Sequence, residues 1–72
     1  DIEGVEIAAL LRETDDGEIK VGLRSNEYAD TSEIAASFNG GGHRKAAGYT
    51  VGGPMDTAME TLLDRIEKVL RV

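Results

Sequence analysis

The sequence predicts an α+β fold: a small mixed β-sheet of three or more strands, a long C-terminal amphipathic helix, and a second helix that leads into a glycine-rich loop. Three observations predict it. Apolar and polar residues alternate on both sides of a turn signal near the N-terminus, apolar residues near the C-terminus recur at helical spacing, and three consecutive glycines stand between them. With 72 residues the chain is expected to be a single domain, residues 1–72, with a small core.

The N-terminal segment predicts two strands joined as an antiparallel hairpin. Every second side chain of residues 5–12 is apolar, and these side chains lie on one face of the predicted strand. Ala8 and Leu10 make part of the other face apolar, so this strand is expected to be covered on both sides. Asp16-Gly17 is a tight-turn signal. Residues 19–25 then alternate with period two and form the second strand.

The middle of the chain predicts a short helix that ends at the glycines. Asp30 is a capping residue, and Glu33 follows at the spacing of a capping box. Asn39 and Gly40 tolerate the left-handed conformation that ends helices. Beyond the glycines, residues 43–47 are expected to form a short helix whose free N–H groups point back at the loop.

A third strand and a final helix complete the chain. Residues 49–51 are rich in strand-forming types, and either a parallel or an antiparallel position is open to them. Pro54 suits the first turn of the helix that follows. Both methionines of that helix are expected in the core, within an apolar stripe made of Met55, Ala58, Met59, Leu62, Leu63, Ile66, Val69 and Leu70.

Composition excludes several classes of protein. The chain has no cysteine, so disulfides and thiolate metal sites are excluded and an intracellular, cytoplasmic location is expected. No membrane-spanning or signal segment is present in the sequence. The formal charge of −6 and only 4% aromatic residues disfavour a broad nucleic-acid surface. Because the chain opens on Asp1 and ends directly after a helical pattern, we expect it to be part of a longer polypeptide.

The glycine stretch is the candidate site, because it lies in a cation-rich window without acids. Gly40, Gly41 and Gly42 precede His43, Arg44 and Lys45, and no Asp or Glu occurs between Glu33 and Asp56. Successive glycine amides, a histidine and cations suit a bound phosphate. Arg24, at the end of a predicted strand, is the best candidate from elsewhere in the chain to bind the same phosphate. A plain turn fits the same glycines, and both interpretations stay open on residue chemistry alone.

These residues do not fit other common nucleotide-binding loops, a metal centre or a nucleophilic catalytic site. The glycine spacing matches neither a Walker loop nor a dinucleotide fingerprint. One histidine without cysteine is too few for a zinc or dinuclear metal centre. No nucleophile stands convincingly beside His43. We therefore expect no catalytic residue, metal ligand or cofactor in this chain, and no activity of the domain alone.

The order of motifs resembles a known family over nearly the whole chain. Residues 38–49 carry the pattern GGGH followed by AAG, which is similar to the signature of the DHH-associated domain of the first type, the C-terminal module of DHH-family phosphoesterases. Residues 4–9, 21–25 and 30–35 fit its strands and helix in the same order. Within the family, the resemblance is nearest to the type that acts as nanoRNase and 3′,5′-bisphosphate nucleotide phosphatase; cyclic-dinucleotide phosphodiesterases and RecJ-type exonucleases are the neighbouring options.

The resemblance implies the substrate-binding half of a two-domain hydrolase. An N-terminal DHH domain in cis would hold two Mn²⁺ ions, and this domain would bind a short oligonucleotide or phosphorylated nucleotide. The implied phosphate-binding residues are Gly40, Gly41, Gly42 and His43, with Arg24 and Ser25 less firmly matched and Arg44 and Lys45 at variable positions. The alternative is a tRNA-contacting or dimerising domain like that at the C-terminus of alanyl-tRNA synthetases, which the −6 charge disfavours. A homodimer, the exact substrate and the base preference are left open.

Overall fold

The computed structural model describes residues 6–26 and 29–70 and confirms the α+β class. In chain order the elements are β1 (Ile7–Glu13), β2 (Glu18–Ser25), α1 (Thr31–Ala36), β3 (Gly41–His43), β4 (Ala46–Gly52) and α2 (Met55–Leu70). The strands form one sheet in the order β1-β2-β4-β3. Every pairing in it is antiparallel, so the expected mixed sheet is wrong in this detail.

The N-terminal hairpin forms as predicted. Gly17 has φ +82°, which is the left-handed conformation that the Asp-Gly signal indicates. Its amide donates to the Thr14 carbonyl at 3.0 Å, and the Thr14 amide donates to the Glu18 carbonyl at 2.8 Å. The local turn chemistry therefore determines the β1–β2 register, from Glu13 opposite Ile19 to Ile7 opposite Ser25. Val5, the first residue of the predicted strand face, lies outside the described residues.

Both helices pack on the same face of the sheet, which we call the core face. Ile19, Val21 and Leu23 of β2 are buried there, as their alternation predicts. The opposite face, which we call the open face, has no covering element among the described residues, and Leu10 on it is 77% exposed. The prediction that β1 is covered on both sides is therefore wrong. An apolar residue on a strand does not by itself require a layer above it.

The long helix α2 uses only part of its apolar stripe. Ala58 and Leu62 are buried, and Met55, Ile66 and Val69 pack at the edge of the core. Met59 is 43% exposed and Leu63 is 60% exposed, so the expectation that both methionines are core residues is wrong for Met59. Neither helix in residues 6–26 and 29–70 has the length and apolar character of a membrane span.

The ends of α1 follow their sequence signals. Asp30 is the N-cap, and its carboxylate accepts a hydrogen bond from the Ser32 amide at 2.9 Å. At the other end Asn39 adopts φ +65°. The Gly40 amide donates to the Ala35 carbonyl at 2.8 Å and the Asn39 amide donates to the Ala36 carbonyl at 3.1 Å, which together make a Schellman motif. This motif delivers the chain into β3.

Candidate functional site

The glycine stretch forms the edge of the sheet where a loop was expected. Gly41–His43 is the short strand β3, and Ala46–Gly52 is β4, so the two make a hairpin with Arg44 and Lys45 at its turn. The predicted short helix over residues 43–47 is therefore wrong. The strand predicted over residues 49–51 corresponds to β4, which is longer because it also includes the Ala-Ala-Gly segment. Among the described residues no helix begins between the glycines and Met55.

Close backbone packing requires two of the three glycines. A Cβ on Gly40 would collide with the Gly48 carbonyl oxygen and with Tyr49. Gly42 has φ +146°, and a Cβ there would lie 2.5 Å from the Cα of Ala47. Gly41 differs, because no atom lies within 4 Å of the position that its Cβ would take. Gly40 and Gly42 are thus required by the fold, while Gly41 leaves open space on the surface.

The turn of the β3–β4 hairpin is held by hydrogen bonds from elsewhere in the chain. Thr31, which is fully buried, donates its amide to the Arg44 carbonyl at 2.7 Å. Its hydroxyl lies 3.0 Å from the His43 carbonyl oxygen and 2.9 Å from that of Arg44. Ser25 adds a bond from its amide to the Lys45 carbonyl at 3.0 Å. The start of α1 and the end of β2 therefore position the segment that carries His43.

Strand register brings the predicted residues onto one surface. Directly paired residues of antiparallel strands point to the same side of the sheet. On the open face this gives three rows that cross the strands: Ala8, Arg24, Ala46 and His43; then Leu10, Gly22, Gly48 and Gly41; then Arg12, Lys20 and Thr50. The first row contains Arg24 and His43. They are the two candidate phosphate-binding residues that lie on strands and have ionisable side chains.

Arg24 and His43 lie on either side of Ala46 in the first row. Their backbones are two strand spacings apart, roughly 10 Å. Both side chains are exposed. A long guanidinium and an imidazole at this spacing, with only a methyl group between them, can both reach an anion that rests over Ala46. The prediction that Arg24 lies near the glycines agrees with this placement.

The remaining predicted residues lie around this row. Arg44 and Lys45 directly follow His43 in the hairpin turn, and both are exposed. The Ser25 hydroxyl donates to the Ala29 carbonyl at 2.8 Å and lies 3.2 Å from the Arg44 carbonyl oxygen, so it serves the backbone of the turn. The Gly40 amide is already bonded to Ala35. Sequence reasoning missed Thr31 and Ala46, neither of which carries a chemical signal by itself.

A hollow of about 530 Å³ lies on the open face beside the first row. It is floored by small residues of four strands, which keep the surface low between Leu10 and the glycines. Arg24 is its one charged lining residue among those described. The lining residues are Ala8, Ala9, Leu10, Gly22, Leu23, Arg24, Gly41, Gly42, Ala46 and Ala47. His43 stands at its edge by register but does not line it.

At the hairpin turn the charge of Arg44 acts on a nearby carboxyl group, that of Asp30. The Ser32 hydroxyl and amide hold the pKa of the Asp30 carboxyl below its usual value, and the charge of Arg44 adds to this effect. Within residues 6–26 and 29–70 the ion pair with N···O under 4.0 Å is Lys68 with Asp64, far along α2, so Arg24 forms none there. In the same residues no three His, Asp or Glu side chains come together as metal ligands.

Under the site, Tyr49 on the core face of β4 stacks on Phe38, with ring centroids 4.4 Å apart and an interplanar angle of 15°. The Tyr49 hydroxyl is buried and has no hydrogen-bond partner in the part of the chain that the structure describes. Burial raises the pKa of Tyr49 to about 12. This aromatic pair joins the end of α1 to β4 just below the glycine edge.

Comparison with known proteins supports the family that the motif order suggests. The model of the DHHA1 domain matches residues 1–72. A relative from Thermus thermophilus, described as a bifunctional oligoribonuclease and PAP phosphatase, NrnA, is 36% identical over 70 residues. That match covers 96% of this chain and 21% of the relative, so the chain spans about a fifth of the length of the protein it resembles.

Proposed function

This chain belongs to the DHHA1 domain family, and from that premise we propose that it is the phosphate-binding domain of a DHH phosphoesterase. Its ligand is a short oligonucleotide or a bisphosphate nucleotide, which is supported by the name of the Thermus thermophilus relative, an oligoribonuclease and PAP phosphatase. On this proposal residues 1–72 are one domain of a longer enzyme, and a DHH domain in cis carries out the hydrolysis.

The observation that carries the proposal is the first row of the open face. Arg24 and His43 flank Ala46 on adjacent strands of an otherwise acidic chain, and Gly41 leaves the surface beside them open. A phosphate over Ala46 accepts hydrogen bonds from the guanidinium on one side and from the imidazole on the other. Arg44 and Lys45 in the turn add positive charge around it. Gly40, Gly42 and Ser25 support the shape of this surface through the backbone contacts described above.

The chemistry of hydrolysis is assigned to the partner domain. Two Mn²⁺ ions bound there would activate water for attack on the phosphoester. On this proposal the residues of this chain hold and orient the substrate phosphate. The isolated domain is then expected to bind ligand weakly and to be inactive.

Titration of the 72-residue chain with adenosine 3′,5′-bisphosphate, followed by amide chemical shifts, tests the proposal. We expect shifts concentrated at Arg24, Gly41–His43 and Ala46. His43→Ala and Arg24→Gln each remove one charged or polar hydrogen bond, so the dissociation constant should rise by about 5- to 150-fold, which corresponds to roughly 1–3 kcal/mol.

Lys68→Gln, which removes a cation on α2 away from the sheet, is the matched control and should leave binding unchanged. Shifts confined to other regions, no shifts at millimolar ligand, or equal effects of the site variants and the control would each reject the phosphate site.

A further inference from the structure

We propose that the open face carries a second anion-binding position, formed by Arg12 and Lys20, that takes another phosphate of the same oligonucleotide. This inference rests on the proposed function and extends it to the class of substrate. The ligand that uses both positions is a single strand of at least two nucleotides, lying along the strands of the sheet.

The first argument is the pairing of two like charges. Arg12 of β1 lies directly opposite Lys20 of β2, and both side chains are exposed on the open face. Like charges in directly opposed positions destabilise a sheet. In the described residues neither forms an ion pair, and the acid nearest on that face, Glu18, is two residues before Lys20 on the same strand and opposite Gly52. An anion between the two side chains removes this repulsion.

The second argument is a hollow at this pair that adjoins the hollow next to Arg24. A hollow of about 420 Å³ lies beside this pair and is lined on the open face by Leu10, Arg12, Lys20, Gly22, Gly48 and Thr50. Leu10 and Gly22 also line the hollow next to Arg24, so the two hollows adjoin each other. No atom lies within 4 Å of the place where a Cβ of Gly22 would be, so the floor between the two cationic ends is free of side chains. A chain molecule can therefore rest across it.

The third argument is length. Arg24 follows Lys20 by four positions on β2, which corresponds to roughly 13 Å along the strand. One phosphate cannot contact both ends, whereas successive phosphates of a strand can, with long Arg and Lys side chains reaching inward. The acidic residues of α2 lie in the helix layer on the opposite side of the sheet. On the open face the described cations Arg12, Lys20 and Arg24 outnumber the acids Glu18 and Glu6, the latter beside Arg24.

The test compares a ligand with one phosphate with a ligand that has several. Adenosine 5′-monophosphate and 5′-phosphorylated triadenylate are titrated into the 72-residue chain and into the Arg12→Gln, Lys20→Gln double variant. We expect the variant to bind the trinucleotide roughly 3- to 10-fold more weakly and the mononucleotide as the parent chain does. The slope of log K against log salt for the trinucleotide should become less steep by about 0.7, since the contact with one phosphate is lost.

Each outcome decides a different point. Unchanged trinucleotide binding in the variant overturns the second position, and so does an equal loss for both ligands, which indicates a general field effect. The double variant Arg65→Gln, Lys68→Gln on α2 controls for net charge and must leave the ratio of the two affinities unchanged. If the parent chain binds neither ligand, the proposed function itself fails. Amide spectra of all variants confirm that the sheet is intact.

Discussion

The hydroxyl of Thr31 offers the sharpest test of how the site is held in place. Thr31 is fully buried at the first turn of α1, and its hydroxyl lies within hydrogen-bond distance of the carbonyls of His43 and Arg44. Thr31→Val keeps the branched shape and removes the donor. The substitution therefore tests the link between α1 and the β3–β4 hairpin without emptying the core.

The magnitude follows from the partners that remain. The Arg44 carbonyl still accepts the Thr31 amide at 2.7 Å, so it keeps a hydrogen bond, while the His43 carbonyl loses the contact from this hydroxyl. Loss of a buried hydrogen bond with a partner left behind costs about 1–3 kcal/mol. A domain of this length is stable by roughly 4–11 kcal/mol, so the loss is a large part of the total.

Urea unfolding measures this loss, and hydrogen exchange locates it. We expect the free energy of unfolding to fall by about 1–3 kcal/mol and the amides of Gly41–His43 to lose more protection than those of β2. Thr61→Val is the matched control, because the Thr61 hydroxyl also donates to a backbone carbonyl, that of Ala58 at 3.1 Å, but on the exposed side of α2. If Thr31→Val costs no more than Thr61→Val, the hydroxyl does not hold the hairpin and the reasoning is wrong.

Three further predictions concern the residues around the site. Gly40→Ala should lower the free energy of unfolding by about 1–3 kcal/mol or more, because its Cβ meets the Gly48 carbonyl, whereas Gly41→Ala should change it by less than about 0.5 kcal/mol; thermal unfolding separates the two, and equal effects would contradict the packing argument. Tyr49→Phe should leave stability unchanged or raise it by up to about 1 kcal/mol, because the hydroxyl is buried without a partner in the described residues; a clear loss in urea unfolding would reveal a partner. Since the pKa of Tyr49 is raised from 10.0 to about 12, the unfolded chain ionises first, and the parent chain should lose stability between those pH values more steeply than Tyr49→Phe.

Much of the candidate site could be predicted from residue types and motif order. The glycines, His43 and Arg24 were identified from an acid-free window and a strand end, and the family follows from the same motif. The hairpin that presents His43 could not be predicted. Its turn, Arg44-Lys45, has no glycine, asparagine or aspartate, and neither residue adopts a positive φ. The usual sequence signal of a tight hairpin is therefore absent.

The elements whose cause is local could be predicted from residue order alone. The Asp-Gly turn set the first hairpin, the Asp30 and Asn39 signals set the ends of α1, and helical periodicity set α2. These depend on backbone preferences and spacing within a few residues, so they can be read without knowing the fold.

The surface that carries the candidate site residues depends on the tertiary structure. Hydrogen bonds from Thr31 and Ser25, far away in sequence, hold the turn of the β3–β4 hairpin, and the register of two strand pairs places Arg24, Ala46 and His43 in one row. Both helices pack on the other face of the sheet and leave that row exposed. The alternation of β2 indicates which of its faces is buried, but it does not show which residues of the other strands share the exposed face, because that depends on the register between elements distant in the chain.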